Sequence, residues 1–240
     1  MGAGISTLVM LTHFFKKSNT LRLQFSKEIF RLFGRITVNG FSSFIIDVAM
    51  GVLTMLFNRQ IMKYLGTDAL AVYGVIVSVS TLVQCCSYGI GQASQPIISQ
   101  NYGAGNVGRI KKMLRYNIIT AAIFGAVWAA ITFAVPNGLI RLFMTPTASV
   151  LAIAPAIIRI YGSSFLLLSF NVYSTYYFQA TMRAKTSMFV SVARGILISG
   201  ALILIIPVTL GADMIWWAMP VTELVVAVFA GAMMAKKIQL

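Results

Sequence analysis

Acidic side chains are scarce in this sequence of 240 residues, which holds 5 of them against 19 lysines and arginines. One histidine, His13, and two cysteines, Cys85 and Cys86, leave no ligand set for a zinc centre, and no metal is expected. The cysteines are adjacent within one apolar stretch, which suits neither a long-loop disulfide nor a metal site, so they read as small packing residues. Two isolated acids within apolar spans offer no pair for acid–base chemistry, which argues against an enzyme. Charged residues make up only 10% of the chain and hydrophobic ones 58%, more apolar surface than a soluble domain can hide. The apolar residues gather in stretches of the length that crosses a bilayer, separated by short polar loops. The fold class is therefore all-α, a polytopic membrane helical bundle. A net charge of +14 would suggest nucleic acid in a soluble protein. Here the basic residues sit between hydrophobic spans, so they report topology and no nucleic-acid partner is expected.

The stretch from Gly34 to Asn58 is a long apolar helix with Asp47 in its middle. A carboxylate near the centre of a bilayer costs about 2.5–3.5 kcal/mol on insertion scales and by default marks a pathway or relay. At 100° per residue, Gly40, Ser43, Asp47, Gly51, Thr54 and Asn58 share one narrow stripe. Asp47 is thus expected to face a protein-lined cavity, the alternative being a hydrogen bond that holds a neighbouring helix in register.

Met1 to Phe15 is apolar but shorter than the ~20 residues a span needs, and its lysines follow rather than precede it, so it is no secretory signal. Residues 1–15 read as the tail of a truncated transmembrane helix. Residues 16–35 form a basic cytoplasmic linker carrying Lys16, Lys17, Arg22, Lys27, Arg31 and Arg35 against Glu28. That linker either lies on the membrane through Phe25, Phe30 and Phe33 or is simply solvated. Residues 36–240 then carry six spans.

A second span runs over about 69–95, where Ser80, Gln84, Ser87, Gly91 and Ser94 form a further polar stripe, and Pro96 is expected to break the helix. Gly103, Gly105 and Gly108 spell GxGxxG. The dinucleotide fingerprint also needs a preceding strand and an acid some 20 residues on, and no Asp or Glu occurs between Asp68 and Asp213. The glycines are expected to serve a tight turn. A packing span follows over about 116–135. The fourth carries Asn171, Thr175 and tyrosines 173, 176 and 177. The fifth, about 187–210, holds Arg194, expected to snorkel to the inner side. The sixth, about 214–235, opens with Trp216 and Trp217, expected in the outer aromatic belt, and carries Glu223. Only Arg59, Lys63, Arg141 and Arg159 fall outside the cell in this topology, leaving 15 of the 19 basic residues and the C-terminus cytoplasmic.

Four stretches together, FNRQIMKYLGTDALAVYGVIVSV, GIGQASQPIISQNYGAGNVGRIKK, SFNVYSTYYFQATMRAKTS and WWAMPVTE, resemble the C-terminal half of multidrug and toxic compound extrusion (MATE) transporters. Asn58, Gly91, Gln92, Pro96, Gly103 and Gly105 carry much of the pattern. The resemblance implies one six-helix lobe of a twelve-helix protein in a bacterial-type inner membrane. That protein would expel amphipathic, often cationic compounds in exchange for protons or sodium, with no other cofactor. It also implies cation or proton coupling at Asp47 and, with a less defined role, at Glu223. Some relatives carry an acid on the tenth helix where this chain offers Asn171, which puts a second sodium-coupling acid in doubt. Met50, Tyr73, Gln84, Tyr88, Asn171 and Tyr173 are candidate cavity residues, since aromatic faces hold cations and methionine adapts to varied shapes. Expected partners are membrane lipid, small organic cations, and an N-terminal lobe or a second copy of the chain. Lipid-linked oligosaccharide or lipid transport, as in flippases of the same superfamily, is the rival reading, and an inert half that needs its partner lobe is another.

Overall fold

A computed structural model describes residues 51–235 together with Gly4, Leu11, Thr12, Phe33 and Val48. Asp47 and Met50 lie outside the described residues, as do nearly all of the expected helix tail and basic linker. Met1–Ser43 and Phe44–Leu240 form two compact units. In the first, Gly4, Leu11 and Phe33 are helical. The second holds the apolar spans and the cavity.

Every described element is helical. In hydrocarbon each backbone N–H and C=O must be satisfied within the segment, and a helix does so residue by residue. Helix α1 covers the described residues 51–64. Helices α2 (Gly66–Gly103), α3 (Val107–Ala134), α4 (Pro136–Phe143), α5 (Ala148–Gly162) and α6 (Phe165–Ala180) follow. Then come α7 (Ala184–Val192), a π-turn at Ala193–Leu197, α8 (Ile198–Thr209), a 3₁₀ turn at Ala212–Trp217, and α9 (Ala218–Ala235). Among the described residues, five stretches are long and apolar enough to cross a membrane: Gly66–Gly103, Val107–Ala134, Ala148–Ala180, Ala184–Thr209 and Ala212–Ala235.

Two expected boundaries move. Pro96 does not end its helix, because α2 runs through it to Gly103. A proline removes one helical hydrogen bond, a loss that neighbouring helices readily offset within a transmembrane bundle. The expected basic loop shrinks to the three residues between Gly103 and Val107, and Arg109, Lys111, Lys112 and Arg115 are already helical. The turn is closed by Ala104 N–H to Gln100 O at 3.1 Å and Asn106 N–H to Asn101 O at 2.9 Å. Gly105 sits there with φ +70°, where a side chain would be strained. Elsewhere the boundaries follow local chemistry. Pro136 opens α4 at its first turn, and Thr147 caps α5 by accepting from Val150 N–H at 3.3 Å.

Small residues set how close the helices come. A Cβ on Gly91 of α2 would overlap the Tyr176 ring of α6. One on Gly125 of α3 would lie 2.7 Å from Phe165 O and 2.8 Å from Leu166 O, and one on Gly162 would overlap Thr132. Helix α6 is the hub: Ser87 of α2 meets Ser169 at 2.8 Å between hydroxyls, and Ser187 of α7 donates to Thr175 O at 3.1 Å. The apolar core divides in two. One cluster packs Phe57, Tyr73, Tyr161, Phe165 and Trp216; the other, toward the basic end, packs Ile98, Ile110, Tyr173, Tyr177 and Val226. Trp216 is 2% exposed, 6.4 Å from the Tyr73 ring between centroids, so it is a core residue rather than part of an aromatic belt. Its neighbour Trp217 is 44% exposed. Cys85 and Cys86 are free and exposed, not packing residues of the interior.

Candidate functional site

Helices α1, α2, α5 and α9 enclose an open cavity of about 310 Å³. Gly51 and Thr54, members of the stripe that carries Asp47 in the sequence, line it from α1. Helix α2 contributes Tyr73, Val77, Ser80, Thr81, Gln84, Cys85 and Tyr88, a run spaced by three and four residues and therefore on one face. Tyr161 and Met219 come from α5 and α9. Phe57 and Tyr73 stack at 4.9 Å to give the cavity an aromatic end, while Thr54, Ser80, Thr81, Gln84 and Tyr88 give it a hydroxyl and amide wall.

The polar face continues past the cavity. Tyr88 Oη donates to Gln84 Oε1 at 3.3 Å and meets the Tyr176 ring edge-on at 6.3 Å. Gln92 Nε2 donates to Tyr176 Oη at 3.4 Å, and Gln95 Nε2 to Gln179 Oε1 at 3.3 Å. Gln84, Tyr88, Gln92 and Gln95 thus make a track along α2 that α6 joins through Tyr176 and Gln179. Tyr88 is 37% exposed, and Gln92 and Gln179 are exposed. Side-chain amides at bilayer depth are costly against lipid, so this face is built to meet water or protein.

Behind this face lies a buried ion pair. Arg194 Nε donates to Glu223 Oε1 at 2.7 Å, with the two side chains 14% and 0% exposed. Asn171 Nδ2 donates to Glu223 Oε2 at 2.6 Å and to Glu223 O at 2.8 Å. Three elements, α6, the π-turn and α9, therefore converge on one carboxylate. Across the π-turn, Ser199 Oγ donates to the Arg194 carbonyl at 2.8 Å. Arg194 does not snorkel: its guanidinium turns inward to the buried Glu223 carboxylate.

Of the residues singled out from the sequence, Tyr73, Gln84 and Tyr88 come together in the cavity. Asn171 is fully buried on Glu223 and Tyr173 is fully buried in the second core cluster; neither lines the cavity. Gly91 provides the close approach to Tyr176, Gln92 lies on the polar track, Gly103 ends α2, Gly105 lies in the turn, and Asn58 is exposed on α1. Sequence reasoning placed Thr54 on the Asp47 stripe but passed over Tyr161 and Met219 in the cavity, and above all the pairing of Arg194 with Glu223. That pairing had a signal: two opposite charges placed in neighbouring spans of one bundle have each other as the cheapest partner.

The MatE family model matches residues 41–206. The multidrug export protein MepA of Staphylococcus saprophyticus is 23% identical over 228 residues, covering 94% of this chain and 50% of that protein. The probable multidrug resistance protein YoeA of Bacillus subtilis is 26% identical over 186 residues, 74% of this chain and 38% of its own length. Among solved structures, an outward-facing multidrug resistance MATE transporter of the MOP superfamily superposes with a TM-score of 0.82 at 19% identity, covering 95% of this chain and 52% of that one. A MOP superfamily transporter from Pyrococcus furiosus gives 0.78 at 16% identity with the same coverage. The chain therefore spans about half the length of the relatives it matches.

Proposed function

This chain belongs to the MatE family, and on that basis we propose that it forms one lobe of a secondary active efflux transporter. The lobe exchanges amphipathic, often cationic compounds for protons or sodium, in a bacterial-type inner membrane with its C-terminus in the cytoplasm. The observation that carries the reading is the exposed amide and tyrosine track on α2 and α6, continuous with the cavity. A face that cannot lie against lipid, in a family of multi-pass membrane proteins, is a wall of the cargo path. The N-terminal lobe supplies the opposite wall, or a second copy of this chain does so.

Within this reading the two intramembrane acids divide their work. Asp47, an acid in the middle of an apolar span of the sequence, is the exchange site in this reading: such a carboxylate binds a proton or a cationic cargo but not both, and that competition is antiport. Glu223 already has a cation, Arg194, at 2.7 Å, and exchange there would require displacing a tethered guanidinium. It serves to hold α6, the π-turn and α9 in one arrangement. Support for transport rather than catalysis comes from the make-up of the cavity wall, whose described residues are hydroxyls, amides, thiol and apolar groups without a paired acid and base.

The test is efflux of ethidium from cells producing the chain together with a separately encoded N-terminal lobe. Efflux with Asp47 intact, and its loss in Asp47→Asn with membrane insertion retained, is the expected outcome. Undiminished efflux in that variant would remove Asp47 from the mechanism.

A further inference from the structure

A second cavity, of about 450 Å³, opens where α2, α5 and the 3₁₀ turn begin. Leu65 and Ala69 line it from the start of α2, Ile153, Ala156 and Ile157 from α5, and Asp213 and Trp216 from the 3₁₀ turn. Its position relative to the first cavity is fixed by three pairs of residues, each one helical turn apart. Ala69 precedes Tyr73, Ile157 precedes Tyr161, and Trp216 precedes Met219; the earlier member of each pair lines the second cavity and the later one the first. The two cavities are therefore stacked end to end. Between them the rings of Tyr73 and Tyr161, which line the first, meet at 6.5 Å between centroids, and Tyr73 meets Trp216, which lines the second, at 6.4 Å. All three are buried, so the partition consists of packed aromatic side chains.

Among the described residues that line the second cavity, Asp213 alone is charged, and it is exposed. No lysine or arginine among the described residues forms an ion pair with it. In a chain with 19 basic side chains against 5 acidic ones, an acid that none of those bases has taken is open to a cation from outside. The rest of the wall is aliphatic apart from the indole. A cavity of this size, mostly apolar with one placed polar group, has the usual make-up of a small-molecule site. An anionic lipid headgroup would meet the carboxylate with like charge, and an acyl chain would leave it unused. An organic cation uses both the wall and the charge.

We propose that this outer pocket is a second binding site for an organic cation with an apolar body, separated from the first cavity by the aromatic partition. The body lies against Ile153, Ile157 and Trp216, whose indole is also the aromatic group that best attracts cations. The positive charge lies toward Asp213. The proposal rests on the reading of this chain as a lobe that moves such compounds, and it adds a station on the side of the partition away from the amide and tyrosine track.

Protection of a reporter cysteine tests it. Ala156→Cys, in the full chain with Cys85→Ser and Cys86→Ser, places the chain's sole thiol on the wall of the pocket; Ala148→Cys, exposed at the start of α5 and outside the pocket, is the control. Both are held in lipid nanodiscs and labelled with N-ethylmaleimide in the presence of tetraphenylphosphonium or tetraphenylborate, ions of the same shape and opposite charge. Tetraphenylphosphonium is expected to slow labelling severalfold at 156 and not at 148, and tetraphenylborate to slow neither. Adding Asp213→Asn should raise the half-protecting concentration of tetraphenylphosphonium by about fivefold, the upper range for one exposed charge pair. Adding Asp47→Asn should leave it unchanged. Absence of protection at 156, equal protection by both ions, or a half-protecting concentration that ignores Asp213→Asn or moves with Asp47→Asn would overturn the proposal. None of these readouts depends on efflux, so a failed ethidium experiment and a failed protection experiment have separate meanings.

Discussion

Arg194 and Glu223 meet at 2.7 Å between two helices that the sequence separates by a whole span's turn, and their contact is almost wholly buried. Removing one partner of such a pair leaves an uncompensated charge, at a cost of about 3–5 kcal/mol, whereas removing both is often close to neutral. Arg194→Ala is accordingly expected to lower the thermal midpoint of the detergent-solubilised chain steeply, and Arg194→Gln/Glu223→Gln to recover most of the loss. Thermal unfolding followed by circular dichroism checks both. A double variant no more stable than the single one would mean that the pair is not the unit of stability.

Gly91 and Gly125 predict different responses to the same substitution. An added methyl at 91 meets the ring of Tyr176, which can turn aside, and overpacking of that kind costs about 1–3 kcal/mol. At 125 it meets the backbone carbonyls of Phe165 and Leu166 at the start of α6, which cannot move independently. Gly125→Ala is expected to be the more destabilising, and Tyr176→Leu to rescue Gly91→Ala but not Gly125→Ala. Midpoints of the three variants and the two combinations decide it.

The Ser87–Ser169 contact, at 2.8 Å and fully buried, ties α2 to α6 beside the polar track. Interhelical hydrogen bonds in membrane proteins average about 0.6 kcal/mol by double-mutant cycle. A cycle through Ser87→Ala and Ser169→Ala should return a coupling of that order. A coupling near zero would assign the contact to packing alone.

Much of the architecture was legible from hydropathy, because a span must be apolar along its whole length and its ends must be charged. The described spans fall where the apolar runs fall, and of the three glycines expected in a turn Gly105 lies in one while Gly103 and Gly108 are helical. What escaped was whatever depended on a partner helix. Pro96 reads locally as a stop, yet the helix passes through it. Arg194 reads as a snorkelling residue because nothing near it in sequence offers an acid; its acid lies 29 residues on, in another helix. Trp216 reads as interfacial by type, and only the packing of Tyr73 against it shows a core residue. The cavity was half legible: the periodic run from Tyr73 to Tyr88 marks the α2 wall, while Tyr161 and Met219, one from each of two further helices, carry no periodic signal.

Whether the α2 face bearing Gln84 and Tyr88 lines a cargo path is decided by thiol accessibility. With Cys85 and Cys86 replaced by serine, single cysteines at Gln84, Tyr88, Gln92 and Gln95 are compared with ones at Leu82 and Ile97, which are exposed on the opposite face of the same helix. The chain is probed in membranes, together with its N-terminal lobe, using a charged, membrane-impermeant maleimide. Fast labelling is expected at 84, 88, 92 and 95, slowed by ethidium at 84 and 88, with little labelling at 82 and 97. Unreactive cysteines at 84, 88, 92 and 95, or labelling no different from that at 82 and 97, would rule the cargo path out on this face.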